Sequence, residues 1–307
     1  MQFKTLLLPF LLAEVALANL PIRVVTFNIR YDAGDREFNE KPWWDFFCFA
    51  SKDRCRHPHV INALKDAANT APAGAATVIG LQEVLKNQLV DVYNGLGFGW
   101  DHVGVARDDG GAGGEYNPIF YRSDVLKLLY SETKWLSPTP DQVSFGWGAG
   151  SRRIVTIAVF EHAATGLKFI HANTHLDNVS WEARSEGIKV VVARIQAVQA
   201  TWGPLGVTLT GDFNSDPNGD AFKTLVATGF VDELYDLATP AQRIGPNQLT
   251  YTTFDLRNGR SKIDFIFLGP KAANKFSVQR YEIKDNNVNG LVMSDHRPVI
   301  GDVTLLS

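Results

Sequence analysis

The chain has 307 residues, 45% of them hydrophobic, with 30 Lys and Arg against 33 Asp and Glu and a net charge of −3. That apolar content fills a full-sized core and excludes a disordered chain. A mildly acidic balance with no basic block counts against a protein that grips long nucleic acid by counterion release, such as a processive nuclease, and leaves short oligonucleotides open.

Residues 1–18 read as a signal peptide. Lys4 gives the positive start, residues 6–12 form an apolar run too short to span a bilayer, and Ala16-Leu17-Ala18 has the small-x-small cleavage pattern. The mature chain is expected to be secreted and to begin near Asn19. With no low-complexity tract and no Pro- or Ser-rich linker, residues 19–307 are expected to form one domain. No other run approaches a membrane span, and no apolar surface hairpin or basic patch demands a membrane. No stable membrane anchor and no obligate protein partner are therefore expected.

A first strand is expected over residues 22–27, ending at Asn28. Residues 31–55, rich in Gly, Pro, Trp and charge with no sustained period, read as a loop at the rim of a site. The loop holds both cysteines, Cys48 and Cys55, which in a secreted chain are expected to form one short-range bridge. A helix over 59–68 precedes a strand over 77–81 that delivers Gln82 and Glu83, and an amphipathic helix spans 84–96. The glycine-rich stretch 107–118 lacks the Lys-Ser/Thr and strand–helix setting of a phosphate loop, and runs into a strand at 119–122.

The second half repeats this plan. Arg152 and Arg153 precede a strand over 154–160, and a strand over 167–174 delivers His175 and Asp177. Ser180 is an N-cap candidate, with Glu182 in the first turn of a helix that runs to about 201. Residues 207–210 form a buried strand that leads through Gly211 into a polar loop. Asp212 and Asn214 stand two apart, so extended backbone puts both on one face. A carboxylate there can take a proton from water, and an amide can donate to an oxyanion. The run 261–268 buries Asp264 among apolar residues, where an ionised carboxylate needs a partner. Asp295 and His296 then introduce a last strand over 299–305. Each half reads strand, polar residue, helix, strand, carboxylate, which implies two similar layers whose polar ends meet.

The polar set is Asn28, Glu83, His175, Asp177, Asp212, Asn214, Asp264, Asp295 and His296. It contains no Cys, and the chain has no His-x-x-x-His or Cys-x-x-Cys, so a structural zinc site is not expected. Glu83 with Asn28 and nearby carboxylates makes a hard oxygen site suited to Mg²⁺ or Mn²⁺. The inventory fits metal-assisted hydrolysis of a phosphate ester.

These residues lie in blocks that resemble the endonuclease/exonuclease/phosphatase superfamily. The blocks are residues 26–30 (Thr-Phe-Asn-Ile-Arg), 81–84 (Leu-Gln-Glu-Val), 173–177 (Asn-Thr-His-Leu-Asp), 211–214 (Gly-Asp-Phe-Asn), 263–266 (Ile-Asp-Phe-Ile) and 294–298 (Ser-Asp-His-Arg-Pro), in the family's order. The stretch 107–121, with Gly114-Glu115-Tyr116, looks like secreted bacterial and fungal members. The resemblance implies an α/β fold, a four-layer α/β sandwich of two mixed β-sheets face to face with helices outside, and a site at one end of the sheets. It also implies roles. Glu83 would ligate the metal with Asn28 beside it, Asp212 would orient and deprotonate water, and Asn214 would donate to phosphate. His175 and His296 would contact non-bridging oxygens, and Asp264 or Asp295 would hold His296. The substrate contacts would be Asp177, Asn178, Tyr116 and Arg153. Asn178 stands where many relatives have His, and it opens the only glycosylation sequon.

The expected function is a secreted, Mg²⁺-dependent phosphohydrolase (Mn²⁺ also fitting) acting on a phosphodiester or small phosphomonoester. A 3′-to-5′ exonuclease on single-stranded RNA or DNA, of deadenylase type, is an alternative, as is sphingomyelinase- or inositol-phosphatase-like chemistry. The partners are then a phosphate-ester substrate, a short single-stranded nucleic acid or a small phosphorylated compound. A catalytically dead binding protein fits worst, because the full polar set is present.

Overall fold

Seven consecutive buried residues in Ala76–Gln82, and seven more in Gly206–Asp212, account for strands that are apolar runs rather than alternations: both faces of each strand are covered. A computed structural model describes residues 19–255 and 261–307. The expected signal peptide lies outside the described residues.

The first half contains β1 (Leu20–Asn28), α1 (His57–Asn69), β2 (Ala76–Gln82), α2 (Lys86–Leu96), β3 (Trp100–Val103), β4 (Ile119–Arg122) and β5 (Leu126–Trp135). The middle contains β6 (Ile154–His162), β7 (Lys168–His175), α3 (Trp181–Trp202), β8 (Gly206–Asp212), α4 (Asp220–Ala227), β9 (Asp232–Glu233), α5 (Leu234–Leu237) and β10 (Arg243–Ile244). The last part contains β11 (Asp264–Gly269), β12 (Phe276–Ile283), β13 (Asn287–Val288), β14 (Leu291–Val292) and β15 (Val299–Leu305). A seven-stranded sheet runs β10-β12-β15-β1-β2-β4-β3, and a six-stranded sheet runs β5-β6-β7-β8-β11-β9. Both are mixed. β1 is parallel to β2 and antiparallel to β15, while β8 is parallel to β7 and antiparallel to β11.

The sheets pack face to face through Val24, Val78 and Ile119 on one side and Phe160, Phe169 and Ile266 on the other. α1 and α2 cover the outside of the larger sheet with Val60, Leu64, Leu89 and Val92. α3 and α4 cover the smaller one with Ile188, Val191, Ile195 and Phe222. The result is the four-layer α/β sandwich expected from the resemblance. Ser180 caps α3 as its sequence implies, its Oγ accepting from the Ala183 N–H at 3.1 Å.

The expectations missed β3, β5, α4 and β12, and the short β9, α5, β10, β13 and β14. β5 and β12 are part-exposed, so polar residues break up the apolar runs by which the buried strands were recognised. The helix expected from residue 84 begins at Lys86, because Val84 is taken into a β-bridge with Tyr116. Cys48 and Cys55 are bonded to each other, with their Cα atoms 5.9 Å apart.

Toward one end of the strands the apolar interface gives way to a polar seam. Gln82 Nε2 donates to Thr26 Oγ1 (3.0 Å) and Asn173 Oδ1 (2.7 Å), and Thr210 Oγ1 donates to Asn173 Oδ1 (3.0 Å). The sheets approach so closely here that a Cβ on Gly80 would stand 2.4 Å from Thr210 Oγ1. His171 lies in the same seam, its Nδ1 2.7 Å from Thr208 Oγ1. Burial pushes its pKa down from the ordinary 6.5 to about 3. An unfolded chain therefore takes up a proton at His171 below pH 6.5 while the folded chain stays neutral there down to about 3. Stability attributable to this residue is complete above pH 6.5 and falls through that window by up to about 1.4 kcal/mol per pH unit. Denaturant unfolding from pH 7 to pH 4 is expected to show a shallower acid decline for His171→Asn than for the unaltered protein.

Candidate active site

Strand register assembles the site. β7 and β8 pair His175 with Asp212, and β8 and β11 pair Asp212 with Asp264, so three polar groups lie side by side where three neighbouring strands end. The other sheet contributes Asn28, opposite Gln82 at the end of β1, and Glu83 one residue beyond β2. Arg30, Glu83 and Asn214 all have positive φ (57°, 59° and 47°). Non-glycine residues rarely hold that conformation, and its grouping here, just past the strand ends, turns the chain sharply around one cavity.

Asn28 is the hinge between the two sheets. Its Nδ2 donates to Glu83 Oε1 at 3.0 Å and to Asp212 Oδ2 at 2.9 Å, while its Oδ1 accepts from the Arg30 N–H at 3.0 Å. It was expected beside the metal that Glu83 would ligate, and there its amide nitrogen faces the carboxylates and holds two acidic groups in place. The second Glu83 oxygen accepts from the Tyr31 N–H at 3.2 Å. Asp212 Oδ1 accepts from the Asn214 N–H at 2.9 Å.

The two histidines are in opposite states. His296 Nδ1 donates to Asp264 Oδ2 at 2.8 Å, and its Nε2 lies 3.6 Å from Asp212 Oδ2. Burial opposes its charge, but Asp264 and Asp212 outweigh that and hold its pKa well above 6.5. The choice left open by sequence is thus closed: Asp264, fully buried, orients His296, while Asp295 lines the cavity. His175 is held well below 6.5 by burial and by Arg153, Arg107 and His296. Asn214 Nδ2 lies 3.0 Å from His175 Nε2 and donates to Leu176 O at 3.1 Å. An amide nitrogen only donates, so Nε2 accepts and the ring proton sits on Nδ1, which makes no hydrogen bond and lies 3.9 Å from Glu115 Oε2.

The cavity has a volume of about 470 Å³. Glu83, Asp212, Asn214, His175, Asp295 and His296 all line it, together with Arg107, Glu115, Ser151, Arg153 and Asn178, and Arg107 pairs with Glu115 at 2.7 Å. Arg153 Nη2 donates to Asn178 Oδ1 at 2.9 Å, and its Nη1 is buried without a partner. Two of the expected substrate contacts lie elsewhere. Tyr116 is buried in bridges to Val84 and Ala106, and its neighbour Glu115 faces the cavity in its place. Asp177 is buried, and its oxygens are taken up by the N–H groups of Gly150, Ser151, Val179 and Ser180. It shapes the loop that carries Asn178. Asn178 itself lies at the cavity mouth. Peptide mapping is expected to find it without a glycan; a glycan there would place it outside the substrate's path.

Sequence reasoning missed Arg107, Glu115, Arg30 and Tyr251 as cavity residues. Glu115 carries the one signal that was available, a carboxylate between a glycine-rich loop and a strand. Its pKa is raised to about 7 by burial and by Glu83. Asp212 rises to about 7 through burial and Asp264, and Asp295 to about 6 through burial and Glu83. Carboxylates this crowded repel one another, and one donor atom each from Glu83, His175 and Asp212 fall within 4.8 Å of each other. An oxygen-rich, over-negative cluster fits a hard divalent cation.

The endonuclease/exonuclease/phosphatase family profile matches residues 25–296. No curated protein matches the chain. Among solved structures the chain is similar to an endonuclease/exonuclease/phosphatase from Bacteroides vulgatus, with 33% identity over 93% of this chain and 99% of that one and a TM-score of 0.76. It is similar to a mannosyl-6-phosphatase from Bacteroides thetaiotaomicron at 29% identity, over 92% and 99% of the two chains, with a TM-score of 0.76. The human Nocturnin catalytic domain, solved with bound sulfate, shares the fold at 18% identity over 94% and 97%, with a TM-score of 0.67. The matched span carries every residue of the cluster just described, and the chain belongs to the endonuclease/exonuclease/phosphatase family as a phosphoester hydrolase of the metal-dependent type.

Proposed function

We propose that the protein is a secreted, Mg²⁺-dependent phosphohydrolase that acts on a small phosphate ester, with a phosphorylated sugar or polyol as the first candidate. The observation that carries this reading is the cavity. At about 470 Å³ it suits a small ligand, and its lining combines an acidic cluster with Arg30, Arg107 and Arg153, so it offers both a cation site and guanidinium donors to a phosphate group. The likeness to a mannosyl-6-phosphatase supports the same choice. The net charge of −3 supports it against a nuclease that tracks a long strand.

In this reading Asp212 accepts a proton from the attacking water, and Asn28 and the Asn214 N–H keep its carboxylate aimed. Cationic His296, fixed by Asp264, stabilises charge that grows on the phosphoryl oxygens. His175 offers its Nδ1–H to the same group, and Arg153 offers its unpartnered Nη1. Glu83, with Asp212 and Asp295 on hand, would hold Mg²⁺ or Mn²⁺, which supplies Lewis-acid polarisation of a phosphoryl oxygen. No covalent enzyme intermediate is needed.

Release of inorganic phosphate from a panel of hexose phosphates tests the reading, run beside a 5′-labelled single-stranded oligonucleotide. Phosphate release is expected from the sugar phosphates. A chelator should lower it by about a hundredfold or more, and added Mg²⁺ should restore it. An oligonucleotide ladder without phosphate release from the panel would replace this reading with the exonuclease one.

A further inference from the structure

The loop between β1 and α1 carries an apolar tip that the hydrolytic site does not use. Phe46 is 81% exposed, Phe49 77%, Phe47 57% and Trp44 40%. Large aromatics this exposed, clustered within six residues, are not the scattered apolar residues of an ordinary surface. The base beneath them is rigid. Trp43 is buried and donates from Nε1 to Asp91 Oδ2 at 2.8 Å. The buried Arg56 guanidinium donates to the carbonyls of Lys41, Ile29 and Tyr31 at 2.8–3.1 Å. The Cys48–Cys55 bridge anchors the turn, with Phe49 inside the loop it closes and Phe46 and Phe47 just before it. This loop follows directly on Glu37, which lines the cavity.

From these features we infer that the 44–49 turn is a docking surface for an anionic phospholipid bilayer, which it enters reversibly. Three observations choose this occupant. The rings meet edge to face, with Trp44–Phe49 at 5.3 Å and 87°, Phe46–Phe47 at 6.0 Å and 80°, and Phe46–Phe49 at 6.3 Å and 66°. They form a wedge rather than a flat row of open ring faces, and a wedge partitions into an apolar medium better than it stacks on a sugar. The tip exposes roughly 500 Å² of aromatic surface, short of the about 800 Å² per partner that a stable dimer buries. Within residues 41–54, Lys41, Lys52 and Arg54 are exposed against one exposed acid, Asp53, and the Arg54 guanidinium lies 5.1 Å from the Phe47 ring centre. Aromatics flanked by basic side chains match an acyl boundary beneath anionic headgroups. Sequence alone conceals the feature, because aromatics in a Trp- and Phe-rich loop read equally well as core.

The docking stands apart from the reaction proposed above, since vesicle binding needs no turnover. The test is flotation of the protein with vesicles of phosphatidylcholine alone and of phosphatidylcholine mixed with phosphatidylserine. The comparison is a triple variant, Phe46→Ser, Phe47→Ser, Phe49→Ser. The unaltered protein is expected to float with the mixed vesicles, and the variant to lose binding by about tenfold or more while hydrolysing a water-soluble phosphate ester normally. Normal hydrolysis would establish that the variant folds, and if no soluble substrate is yet known its melting transition does so. The proposal is overturned if the unaltered protein stays unbound with both vesicle types. It is also overturned if the folded variant floats equally well, or if light scattering finds a dimer that the three substitutions dissociate.

Discussion

Asp212→Asn is expected to lower turnover by about a hundredfold or more on any phosphate ester the protein cleaves. The carboxylate sits where both sheets meet. It accepts from Asn28 Nδ2 at 2.9 Å and from the Asn214 N–H at 2.9 Å, and faces both histidines at 3.6 Å. Burial and Asp264 raise its pKa to about 7, which suits a group that must take a proton near neutrality. An asparagine keeps the size but cannot take the proton. It also has one oxygen where the site supplies two donors, so one of its own N–H groups must face an N–H. Steady-state kinetics with a melting curve checks the expectation. A folded variant that retains full kcat would remove Asp212 from the proton transfer.

His296→Ala is expected to produce a loss of similar size, about a hundredfold or more, seen mainly in kcat. The ring is kept cationic by Asp264 at 2.8 Å and by Asp212, against the cost of burying a charge. Asp264→Asn removes the main source of that charge, so it should act on turnover through His296. The part of its effect that runs through the ring is expected to be gone once His296 is already alanine, so the double variant should lose much less than the two single losses combined, the remainder acting through Asp212, whose pKa Asp264 also raises. Asp295→Asn gives the contrast. Asp295 lines the cavity beside Glu83 and acts on the ring only as a nearby charge, so part of its effect should persist in the alanine background. Additive losses from Asp264→Asn and His296→Ala would separate the two residues.

The neutral His175 and cationic His296 illustrate how much the surroundings decide. Both are histidines after or near apolar strands, and both are buried. One is flanked by arginines and accepts at Nε2, the other is clamped between carboxylates. No local pattern distinguishes them, because the groups that chiefly set their charge, Arg153 and Arg107 for His175 and Asp264 and Asp212 for His296, come from distant segments of the chain.

What the chain's sequence determined by itself was the set of strand ends. Apolar runs at 22–27, 77–81, 167–174 and 207–210 must be buried, and a run that stops at Asn28, Gln82, His175 or Asp212 must stop where water or a polar site begins. Six motif blocks in one order then carried the family and the sandwich. Tertiary structure alone decided which buried carboxylate meets His296, because that depends on the antiparallel register of β11 on β8. It also decided that Tyr116 turns into the core while Glu115 turns to the cavity, a choice fixed by the pairing of Tyr116 with Val84 and Ala106. The exposed aromatic turn at 44–49 belongs to the same class. Local sequence dictates period and propensity over a few residues, whereas exposure and partner choice follow from contacts between residues a hundred or more apart, such as Asn28 with Asp212.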